Sequence, residues 1–564
     1  MMGRRSSTRN KLLLAGGIIA AGVLALTGCA PGGGANDGGG AGGNAGQVVV
    51  YTGVTGDFAE NFNPFIAGAL QSTLGVIYEP LFYYNIVSGA EPEPLLGESY
   101  EFNEDGSVLT VTTREGVTWS DGEPFTAADV AYTFNLIKET PAFNTAGFDG
   151  EVEQPDENTV VFTFDGPSYT DAVSYLGNTA IVPEHIWSEW DDPTTNQNTE
   201  PVGTGAFALE EFSTQNYVLA ANEDYWGGRP AMDTVRYISL TGNQSATDTL
   251  ISGQIDWAGI FLPDIDTVFS GTPLKYTNTP LNQTSFFTCS SVELGCEGPQ
   301  TDPAVRQAIY HALNRDQLNE LAFSSYNGTM SPTFALLDRD EQYIADEYSE
   351  PVPGSADVEA AVDALEGAGY TRGSDGIYEK DGVRVSLTVQ VVTGWTDYIA
   401  AIDAAGQQLL EAGIELKPAQ VSYQEWTNNK VQGTFELSLD SLGQGVAADP
   451  YYLYLNHYHS ENTAPVGETS NRNYVRYANP TVDAALEAAS QTQDVAAKAE
   501  QYGIVQGEIV RDMPYIPILV NSALSIYNTA KADGWPTEDD LYAYPRPDRS
   551  WDNGIVLKTI TPVS

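Results

Sequence analysis

Histidine is the side chain that most often carries acid–base chemistry near neutral pH, and this chain has four. His457 and His459 stand at i and i+2, so on a strand both imidazoles would lie on one side and could approach a metal ion. Neither a cysteine nor another histidine lies near this pair in the sequence. His185 and His311 each stand alone. We therefore expect no metal site from the histidines.

The sequence also lacks the common catalytic motifs. It contains no GxSxG elbow, no HExxH pair and no GxxxxGK[ST] loop. A catalytic pair of carboxylates, as in glycosidases, remains an open alternative. Assigning one requires the distance between two carboxylates, and the 76 acidic residues make any single pairing uninformative. The prediction is a protein that is not an enzyme and needs no cofactor or metal.

The amino terminus carries an export signal that ends at a cysteine. Four basic residues precede an apolar run from Leu12 to Leu26, and small residues then stand directly before Cys29. The run is too short for a comfortable transmembrane helix and leads into a Gly-rich tether. The box LTGC resembles that of bacterial lipoproteins, which implies a signal peptide at 1–28, a tether at 29–46 and lipid on the Cys29 sulfur. A plain secretory signal with an incidental cysteine is the alternative.

The two other cysteines, Cys289 and Cys296, form an even pair in an oxidising compartment. Six residues, SSVELG, separate them, and Gly295 can help to close the loop. There is no CxxC pair or nearby histidine to favour a metal. We predict a disulfide.

The chain is strongly acidic, with 76 Asp and Glu against 25 Lys and Arg. Four of the basic residues lie in the signal peptide, so the mature chain is more acidic still. Such a surface repels nucleic acid and anionic lipid headgroups. Membrane attachment is therefore expected from the lipid and not from a basic patch, and the charge itself favours solubility outside the cell.

The length and the apolar patterning predict an α/β protein with more than one lobe. About 520 residues follow the tether, more than one hydrophobic core usually serves. Strand-like runs rich in β-branched and aromatic residues interleave with runs of helical period, which predicts sheets covered by helices. The strand-like runs are 47–53, 108–113, 159–164, 235–240 and 383–392. The helix-like runs are 302–321, 479–492 and 496–512.

The segment WSDGEPFTAADVAYTFNLIK (119–138) has readable local chemistry. Asp121-Gly122 predicts a turn, and Thr126 followed three residues later by Asp129 predicts a capping box for the next helix.

This segment also carries a resemblance to a known family. REGVTWSDGEPFTAADVAYTFNLIK (114–138) resembles the signature segment of the extracytoplasmic solute-binding proteins of ABC importers, in the family that includes dipeptide and oligopeptide receptors. The resemblance covers nearly all of the mature chain. It continues through LGVIYEPLFYY (74–84), IVPEHIWSEW (181–190), PVGTGAFALEEF (201–212), DYWGGRPAMDTVRY (224–237), DPAVRQAIYHALNRDQL (302–318), NYVRYANPTVDAAL (473–486) and MPYIPI (513–518).

The resemblance implies a periplasmic-binding-protein clamshell of type II with an extra domain. Lobe I would comprise 47–90, 203–283 and 524–564, the inserted domain 91–202, and lobe II 284–523. Ligand would bind between the lobes, and hinge closure would create the surface that the ABC permease recognises. The resemblance further implies a monomeric, lipid-anchored receptor outside the cytoplasmic membrane.

The acidic residue that many peptide receptors of this family use to pair the amino terminus of a peptide is missing here. In LGQGVAADPYYLYLNHYHS the position three before Asp449 is Val446. An unpaired ammonium in a closed cleft costs several kcal/mol, which argues against ordinary peptides. Asp440 or Asp449 itself could replace the missing acid, so a peptide ligand stays open.

The aromatic pattern favours a sugar. FNPF (62–65), IDWAGIF (255–261), TGWTDY (393–398) and DPYYLYLNHY (449–458) resemble the branch associated with cello-oligosaccharides and related β-linked glucans or mannans. A pyranose offers an apolar face to flat rings while polar side chains bind its hydroxyls. The indoles are predicted to be stacking platforms in an open cleft, so alanine there should remove ligand binding and leave the stability of the unliganded protein nearly unchanged. The predicted ligand residues are Asn61, Trp257, Trp395, Tyr451 and Tyr452.

Three classes of function remain in view. The favoured one is a transport receptor for a β-linked oligosaccharide. A receptor for peptides, or for another small solute such as a metal chelate, is the alternative. A secreted hydrolase or a purely structural surface protein is the least favoured.

Overall fold

The structure, a computed structural model, describes residues 46–54, 56–66 and 68–563. Its strands in chain order are β1 (Gln47–Tyr51), β2 (Phe82–Tyr83), β3 (Glu93–Pro94), β4 (Gly97–Phe102), β5 (Val108–Thr113), β6 (Glu151–Asp156), β7 (Thr159–Thr163), β8 (Phe207–Ser213), β9 (Asn216–Ala221), β10 (Thr234–Ile238), β11 (Trp257–Ala258), β12 (Leu274–Asn278), β13 (Gln283–Thr288), β14 (Thr371–Arg372), β15 (Tyr378–Lys380), β16 (Val383–Arg384), β17 (Ser386–Val392), β18 (Glu415–Val421), β19 (Leu437–Leu442), β20 (Tyr515–Val520), β21 (Leu524–Asn528), β22 (Ala532–Asp533) and β23 (Thr561–Pro562).

Helices connect and cover these strands. The α-helices are α1 (Ala127–Glu139), α2 (Asp171–Asn178), α3 (Glu184–Trp187), α4 (Asn243–Ile251), α5 (Ile265–Val268), α6 (Pro303–Ala312), α7 (Arg315–Phe323), α8 (Val358–Gly367), α9 (Thr396–Glu411), α10 (Tyr423–Gln432), α11 (Tyr451–Tyr458), α12 (Pro480–Ser490), α13 (Val495–Asp512) and α14 (Asp552–Thr559). Short 3-10 helices lie at Gln71–Thr73, Pro299–Thr301, Glu341–Tyr343, Asp346–Tyr348 and Ser460–Asn462.

The first lobe is built on a seven-stranded sheet, sheet I, with the order β12-β21-β11-β1-β10-β9-β8. β1 is the central strand of this sheet and runs parallel to β10 on one side and to β11 on the other. Alternate residues of β1 serve different cores: Val48 and Val50 pack with Trp257, while Tyr51 packs with Ile526 of β21. Because β21 lies between β11 and β12, the carboxyl-terminal part of the chain completes this sheet.

The second lobe is built on a five-stranded sheet, sheet II, with the order β18-β17-β19-β13-β20. β17 runs parallel to β18 and β19, whereas β13 runs antiparallel to β19 and β20. Helices α6 to α9 cover one face around Ile309 and Leu387, and α11 to α13 cover another core around Tyr454 and Val505. β13 and β20 are buried along their whole length, as expected for strands covered on both faces, whereas the edge strand β18 keeps exposed residues.

A four-stranded antiparallel sheet, β4-β5-β7-β6, forms a separate core with α1. Phe134 of α1 packs at 4.9 Å, between ring centroids, against Phe162 of β7. The predicted capping box is confirmed, since Thr126 accepts from the backbone N–H of Ala128 and Asp129 accepts from the backbone N–H of Thr126. The segment 119–138 thus fastens a helix to this smaller sheet.

The α/β class and the two lobes are confirmed. Sheet I uses strands from 47–51, 207–278 and 524–528, sheet II uses strands from 283–520, and the antiparallel sheet uses strands from 97–163. The residue-level boundaries stay a prediction.

The pattern at 302–321 is two helices and not one. α6 ends at Ala312, and Asn314 begins α7 by accepting from the backbone N–H of Gln317. The predicted apolar face is nevertheless buried on both helices, including Ile309 and Leu318.

The predicted disulfide between Cys289 and Cys296 is present, with 5.5 Å between the Cα atoms. It closes a loop just beyond β13. Cys29, the predicted lipid site, lies outside the described residues. Within those residues, no helix has the length and the apolar character needed to cross a membrane.

Candidate ligand-binding cleft

The carboxyl ends of the parallel strands of both lobes meet beside two chain crossovers. β12 leaves sheet I at Asn278, which pairs with Leu524 at the start of β21. β13 enters sheet II at Gln283, which pairs with Val520 at the end of β20 and with Leu442 at the end of β19. The crossovers therefore join the edges at which the parallel strands of both sheets end. Ligands of open α/β sheets bind at such edges.

We call the two crossovers, residues 279–282 and 521–523, the hinge. The backbone N–H of Asn521 donates to the carbonyl of Asn282 at 2.7 Å. The side-chain oxygen of Asn278 accepts from the backbone N–H of Ala523 at 3.1 Å. These bonds hold the two crossovers side by side, so the lobes are joined by a paired connection next to the cleft.

A cavity of about 590 Å³, the interlobe cavity, lies beside the hinge. Its wall includes Val87 and Leu541, the hinge residues Thr279 and Leu281, and Arg339 of lobe II. The Oγ1 of Thr279 is buried and has no hydrogen-bond partner among the described residues, so it can bond a polar ligand atom. The volume lies within the range of about 300 to 1,000 Å³ that small-molecule sites occupy.

Aromatic side chains stand where β17 and β18 end, and we call Trp395, Tyr423 and Trp426 the aromatic edge. Trp395 directly precedes α9, and Tyr423 begins α10. The ring centroid of Trp395 lies 6.3 Å from that of Tyr423 and 5.1 Å from that of Trp426. Tyr423 is 62% exposed and Trp395 is half-buried, whereas Trp426 is buried. Exposed flat rings at this edge can stack on the apolar face of a pyranose.

Lys430 and Asp440, next to the aromatic edge, form an ion pair. Lys430 Nζ lies 3.9 Å from the ring centroid of Trp426 and 2.7 Å from Asp440 Oδ2. Burial raises the pKa of Asp440 above its usual range, although the Lys430 ammonium opposes that shift. Asp440 also accepts from the backbone N–H of Ser441. Its carboxylate therefore has its counter-charge within lobe II.

Asp449 has a similar arrangement. One carboxylate oxygen lies 2.9 Å from Lys498 Nζ, and the other accepts from the hydroxyl of Tyr502 at 2.8 Å. The side chains of Asp449 and Lys498 are each 13% exposed, so both charges are largely withdrawn from water. Both acids that the sequence offers as substitutes for a peptide anchor thus have a lysine partner in their own lobe.

Trp257, a predicted platform, is fully buried in the core of lobe I. Its indole N–H donates to the carbonyl of Pro545 at 2.9 Å and to Ser525 Oγ at 3.1 Å. Its ring centroid lies 5.6 Å from that of Trp535. In this structure the indole presents no face to solvent, because β21 and the segment after it cover the ring. Contact of Trp257 with a ligand stays a prediction.

The remaining predicted residues lie apart from one another. Asn61 is 4% exposed in a loop of lobe I, where its side-chain oxygen accepts from the backbone N–H of Asn63. Tyr451 and Tyr452 are buried in α11, with 5.4 Å between their ring centroids. The hydroxyl of Tyr452 donates to the carbonyl of Thr170, which lies just before α2. Of the five predicted ligand residues, Trp395 is the one placed partly exposed at the aromatic edge.

Sequence reasoning missed Tyr423 and Arg339. Tyr423 is the second residue after β18 and begins a helix, so its place near a strand end was readable in VSYQEW. Arg339 lines the interlobe cavity, but the surrounding segment SPTFALLDRDEQ has neither helical nor strand periodicity. Apart from the adjacent Asp340, its partners Ile86 and Gln444 lie in segments that are remote in sequence, so no local signal could identify its role.

The histidine pair at 457 and 459 lies at the end of a helix and not on a strand, so the geometry that would place both imidazoles on one side is not formed. His457 is buried in α11 and His459 follows that helix. Burial lowers the pKa of His457 to about 3, which keeps this imidazole neutral. Among the described residues, no group of three or more His, Cys, Asp or Glu side chains is placed to hold a metal ion.

Comparison with known proteins gives one family match and many relatives. Residues 91–464 match the family described as bacterial extracellular solute-binding proteins, family 5. Protein XP55 of Streptomyces lividans is 31% identical over 418 residues, which cover 73% of each chain. The oligopeptide-binding protein AppA of Bacillus subtilis is 26% identical, over 74% of this chain and 76% of its own.

Solved structures show the same fold. A periplasmic oligopeptide-binding protein of Thermotoga maritima, crystallised with mannohexaose, superposes with a TM-score of 0.79 at 25% identity. The match covers 92% of this chain and 99% of that protein. AppA of Bacillus subtilis in complex with a nonapeptide gives a TM-score of 0.71 at 22% identity.

Proposed function

Because this chain belongs to family 5 of the bacterial extracellular solute-binding proteins, we propose that it captures a β-linked oligosaccharide, such as a cello- or manno-oligosaccharide. The chain is the extracytoplasmic substrate-binding receptor of an ABC importer. Its relatives are binding proteins and not enzymes. The sugar is the proposed part of this function.

The pairing of Asp440 and Asp449 with lysines carries the proposal. A peptide amino terminus enters a closed cleft only if a carboxylate neutralises it, because an unpaired buried ammonium is strongly unfavourable. Lys430 and Lys498 already provide the counter-charges of these two acids. Binding a peptide ammonium to either acid would require displacing a lysine from a largely buried pair. An uncharged sugar requires no such exchange.

Two further observations support a sugar. The aromatic edge offers exposed rings at the carboxyl end of sheet II, where stacking on a pyranose would be effective. The Thermotoga maritima neighbour, which shares the fold and 25% of its residues, was crystallised with mannohexaose. We place Trp395 and Tyr423 under the sugar rings. Contacts from Asn61, Tyr451 and Tyr452 belong to the same proposal only if opening of the lobes uncovers these side chains, and contact of Trp257 would require β21 and the segment after it to move within lobe I.

Capture would proceed by bending at residues 279–282 and 521–523. The ligand binds between sheets I and II, and closure buries it and presents a surface of both lobes to the permease. In this proposal the inserted domain is 91–202, lobe I is 47–90, 203–283 and 524–564, and lobe II is 284–523. The receptor acts as a monomer held to the membrane through lipid on Cys29. A Gly-rich tether would keep it near its permease at high effective concentration.

A thermal-shift experiment on ligand-stripped protein tests the sugar. The purified chain is unfolded, dialysed and refolded, and its melting temperature is measured with β-1,4-linked gluco- and manno-oligosaccharides of two to five units and with di- to pentapeptides. A ligand present at 100 times its dissociation constant adds about 2.7 kcal/mol to the free energy of unfolding. We expect this shift with a β-linked sugar and none with the peptides.

Two matched variants test whether the sugar-induced shift in melting temperature depends on the aromatic edge. Y423A removes an exposed ring from the edge, and W190A removes a half-buried indole of the inserted domain that contacts Trp187. Y423A should weaken the sugar-induced shift, and W190A should leave it unchanged. Stabilisation by peptides and by no sugar would refute the oligosaccharide, while the receptor function would stand.

A peptide receptor is the second candidate, and Asp397 favours it. Asp397 lies in the first turn of α9, two residues after Trp395, and it forms no salt bridge among the described residues. Burial raises its pKa, which an incoming ammonium would reverse. D397N should abolish stabilisation by peptides if the ligand is a peptide, and should leave a sugar-induced shift in place if the ligand is a sugar.

A further inference from the structure

Arg339 is a buried arginine that bonds groups from both lobes. Its side chain is 5% exposed and pairs with Asp340, which is fully buried, through Nε at 2.7 Å and Nη2 at 2.8 Å. Nη2 also donates to Gln444 Oε1 at 2.7 Å, and Nη1 donates to the carbonyl of Ile86 at 2.9 Å. One guanidinium thus joins three segments that are distant in sequence.

Ile86 belongs to the lobe I side of this contact. The neighbouring Asn85 donates through its side-chain amide to the carbonyl of Leu541 at 2.8 Å. Ile86 itself packs with Tyr544 and with the hinge residues Leu281 and Ala523. The segment is therefore fastened to the chain that follows β21 of sheet I.

Gln444 belongs to the lobe II side and stands next to the cleft. It is the second residue after β19, where the parallel strands of sheet II end. Arg339 can only donate hydrogen bonds, so it fixes Oε1 of Gln444 toward itself and Nε2 away from itself. Arg549, from the chain after β21, also donates to the carbonyl of Gly445 at 3.3 Å. The segment that ends β19 is thus bonded to lobe I in two places, once through Arg339 and once by Arg549 directly.

Other buried arginines of lobe II bond only groups of their own lobe among the described residues. Arg315 is 2% exposed and donates to the carbonyls of Pro517, Pro353 and Tyr310. Arg476 is fully buried and likewise donates to carbonyls within lobe II. The bond from Arg339 to Ile86 therefore distinguishes this arginine from residues that only stabilise the fold of lobe II.

We propose that Arg339 is a positioning residue that latches lobe I to lobe II at the wall of the interlobe cavity. The latch is made in the closed arrangement, in which Ile86 and Gln444 reach the same guanidinium. Opening of the lobes breaks the bond to Ile86 and leaves the pair with Asp340 within lobe II. This inference holds for any ligand of the cleft and does not depend on the oligosaccharide.

The latch affects the ratio of closed to open molecules. A hydrogen bond to a charged donor between the lobes stabilises the closed form, and its loss should lower the closed-to-open ratio about 10- to 100-fold. Because ligand binds the closed form, the same factor should appear in affinity.

Small-angle X-ray scattering of the ligand-free protein tests the latch. R339K keeps a positive charge beside Asp340, but one ammonium cannot reach Ile86 and Gln444 as the guanidinium does. The double variant R339M/D340N removes the latch and the buried carboxylate together, so no unpaired charge remains. R315K is the matched control, with the same replacement at a buried arginine that bonds only lobe II. Hydrogen exchange of peptides covering 84–90 and 443–449 is measured on the same samples.

We expect R339K and R339M/D340N to have a larger radius of gyration than the wild type and faster exchange in both peptides. R315K should lower the melting temperature and keep the wild-type radius of gyration. Equal radii of gyration in the wild type, R339K and R339M/D340N would overturn the latch. If the double variant does not fold, the radius of gyration of R339K alone tests the latch. Since no ligand is added, the outcome is independent of whether the receptor binds a sugar or a peptide.

Discussion

Alanine at Trp257 and alanine at Trp395 should have opposite consequences, although the sequence offers both residues as ligand platforms. Trp257 is fully buried and hydrogen-bonded through its indole N–H, whereas Trp395 is half-buried at the aromatic edge. The burial predicts that W257A removes stability and that W395A removes ligand binding.

The magnitudes follow from the environments. A fully buried tryptophan withdraws roughly 200 Å² from water, which at about 25 cal/mol per Å² corresponds to about 5 kcal/mol. Replacing a buried Trp with Ala costs about 3 to 5 kcal/mol, so we expect W257A to lower the free energy of unfolding by about 4 kcal/mol. Trp395 makes ring contacts with Tyr398, Tyr423 and Trp426 while keeping part of its surface in water. W395A should cost about 1 to 2 kcal/mol.

Urea unfolding followed by far-UV circular dichroism measures the stability of each variant, and the thermal shift with a β-linked oligosaccharide measures binding. W257F is a matched control, because it keeps most of the ring volume and removes the indole N–H. The carbonyl of Pro545 would still accept from Ser525 Oγ, which lies 2.6 Å from it, so W257F should be much more stable than W257A. A W257A protein with wild-type stability and no ligand-induced shift would refute this reasoning and restore the interpretation as a platform.

Further tests address the disulfide, a buried histidine and the lipid site. C289S/C296S should lower the free energy of unfolding by about 2.5 kcal/mol, from the chain entropy of a short closed loop, as measured by urea unfolding. The pKa of His457 is lowered to about 3 by burial, so the unfolded chain takes up a proton below pH 6.5 that the folded chain refuses. Stability should therefore fall by up to about 1.4 kcal/mol per pH unit between roughly pH 6.5 and 3, and H457Q should flatten that fall in pH-dependent unfolding. In a detergent-partition assay the wild type should stay in the detergent phase and C29A should not. Equal partitioning of the two proteins would contradict lipidation of Cys29.

Features that depend on neighbours in sequence were predictable. The capping box of Thr126 and Asp129 is encoded within four residues, and the disulfide of Cys289 and Cys296 within eight. The α/β class and the two lobes followed from the interleaved patterns and the resemblance. The break before α7 was missed, although Asn314 is a typical N-cap residue, because the apolar period of α6 continues through it.

Features that depend on remote segments were not predictable. Trp257 and Trp395 are the same residue type in similar aromatic contexts, but β21 covers only Trp257. The helix α11 was not predicted, because YYLYLNHY is rich in residues that favour strands and has no clear helical period. Its burial among α12 and α13 stabilises a helix there, so tertiary packing outweighs local propensity. Arg339 could not be found at all, since its partners Ile86 and Gln444 lie 253 and 105 positions away.

The position of β21 in sheet I also determines the order in which the chain can mature. Trp257 of β11 bonds Ser525 of β21, which lies 268 positions later. Sheet II is complete only at β20, which ends at Val520, and sheet I only at β21, which begins at Leu524, so neither sheet can be finished until most of the chain is present. A product that stops before β21 would leave the edges of β11 and β12 unpaired, and unpaired edges invite aggregation and proteolysis. Protection of the first lobe from aggregation and proteolysis thus depends on synthesis of the chain through β21.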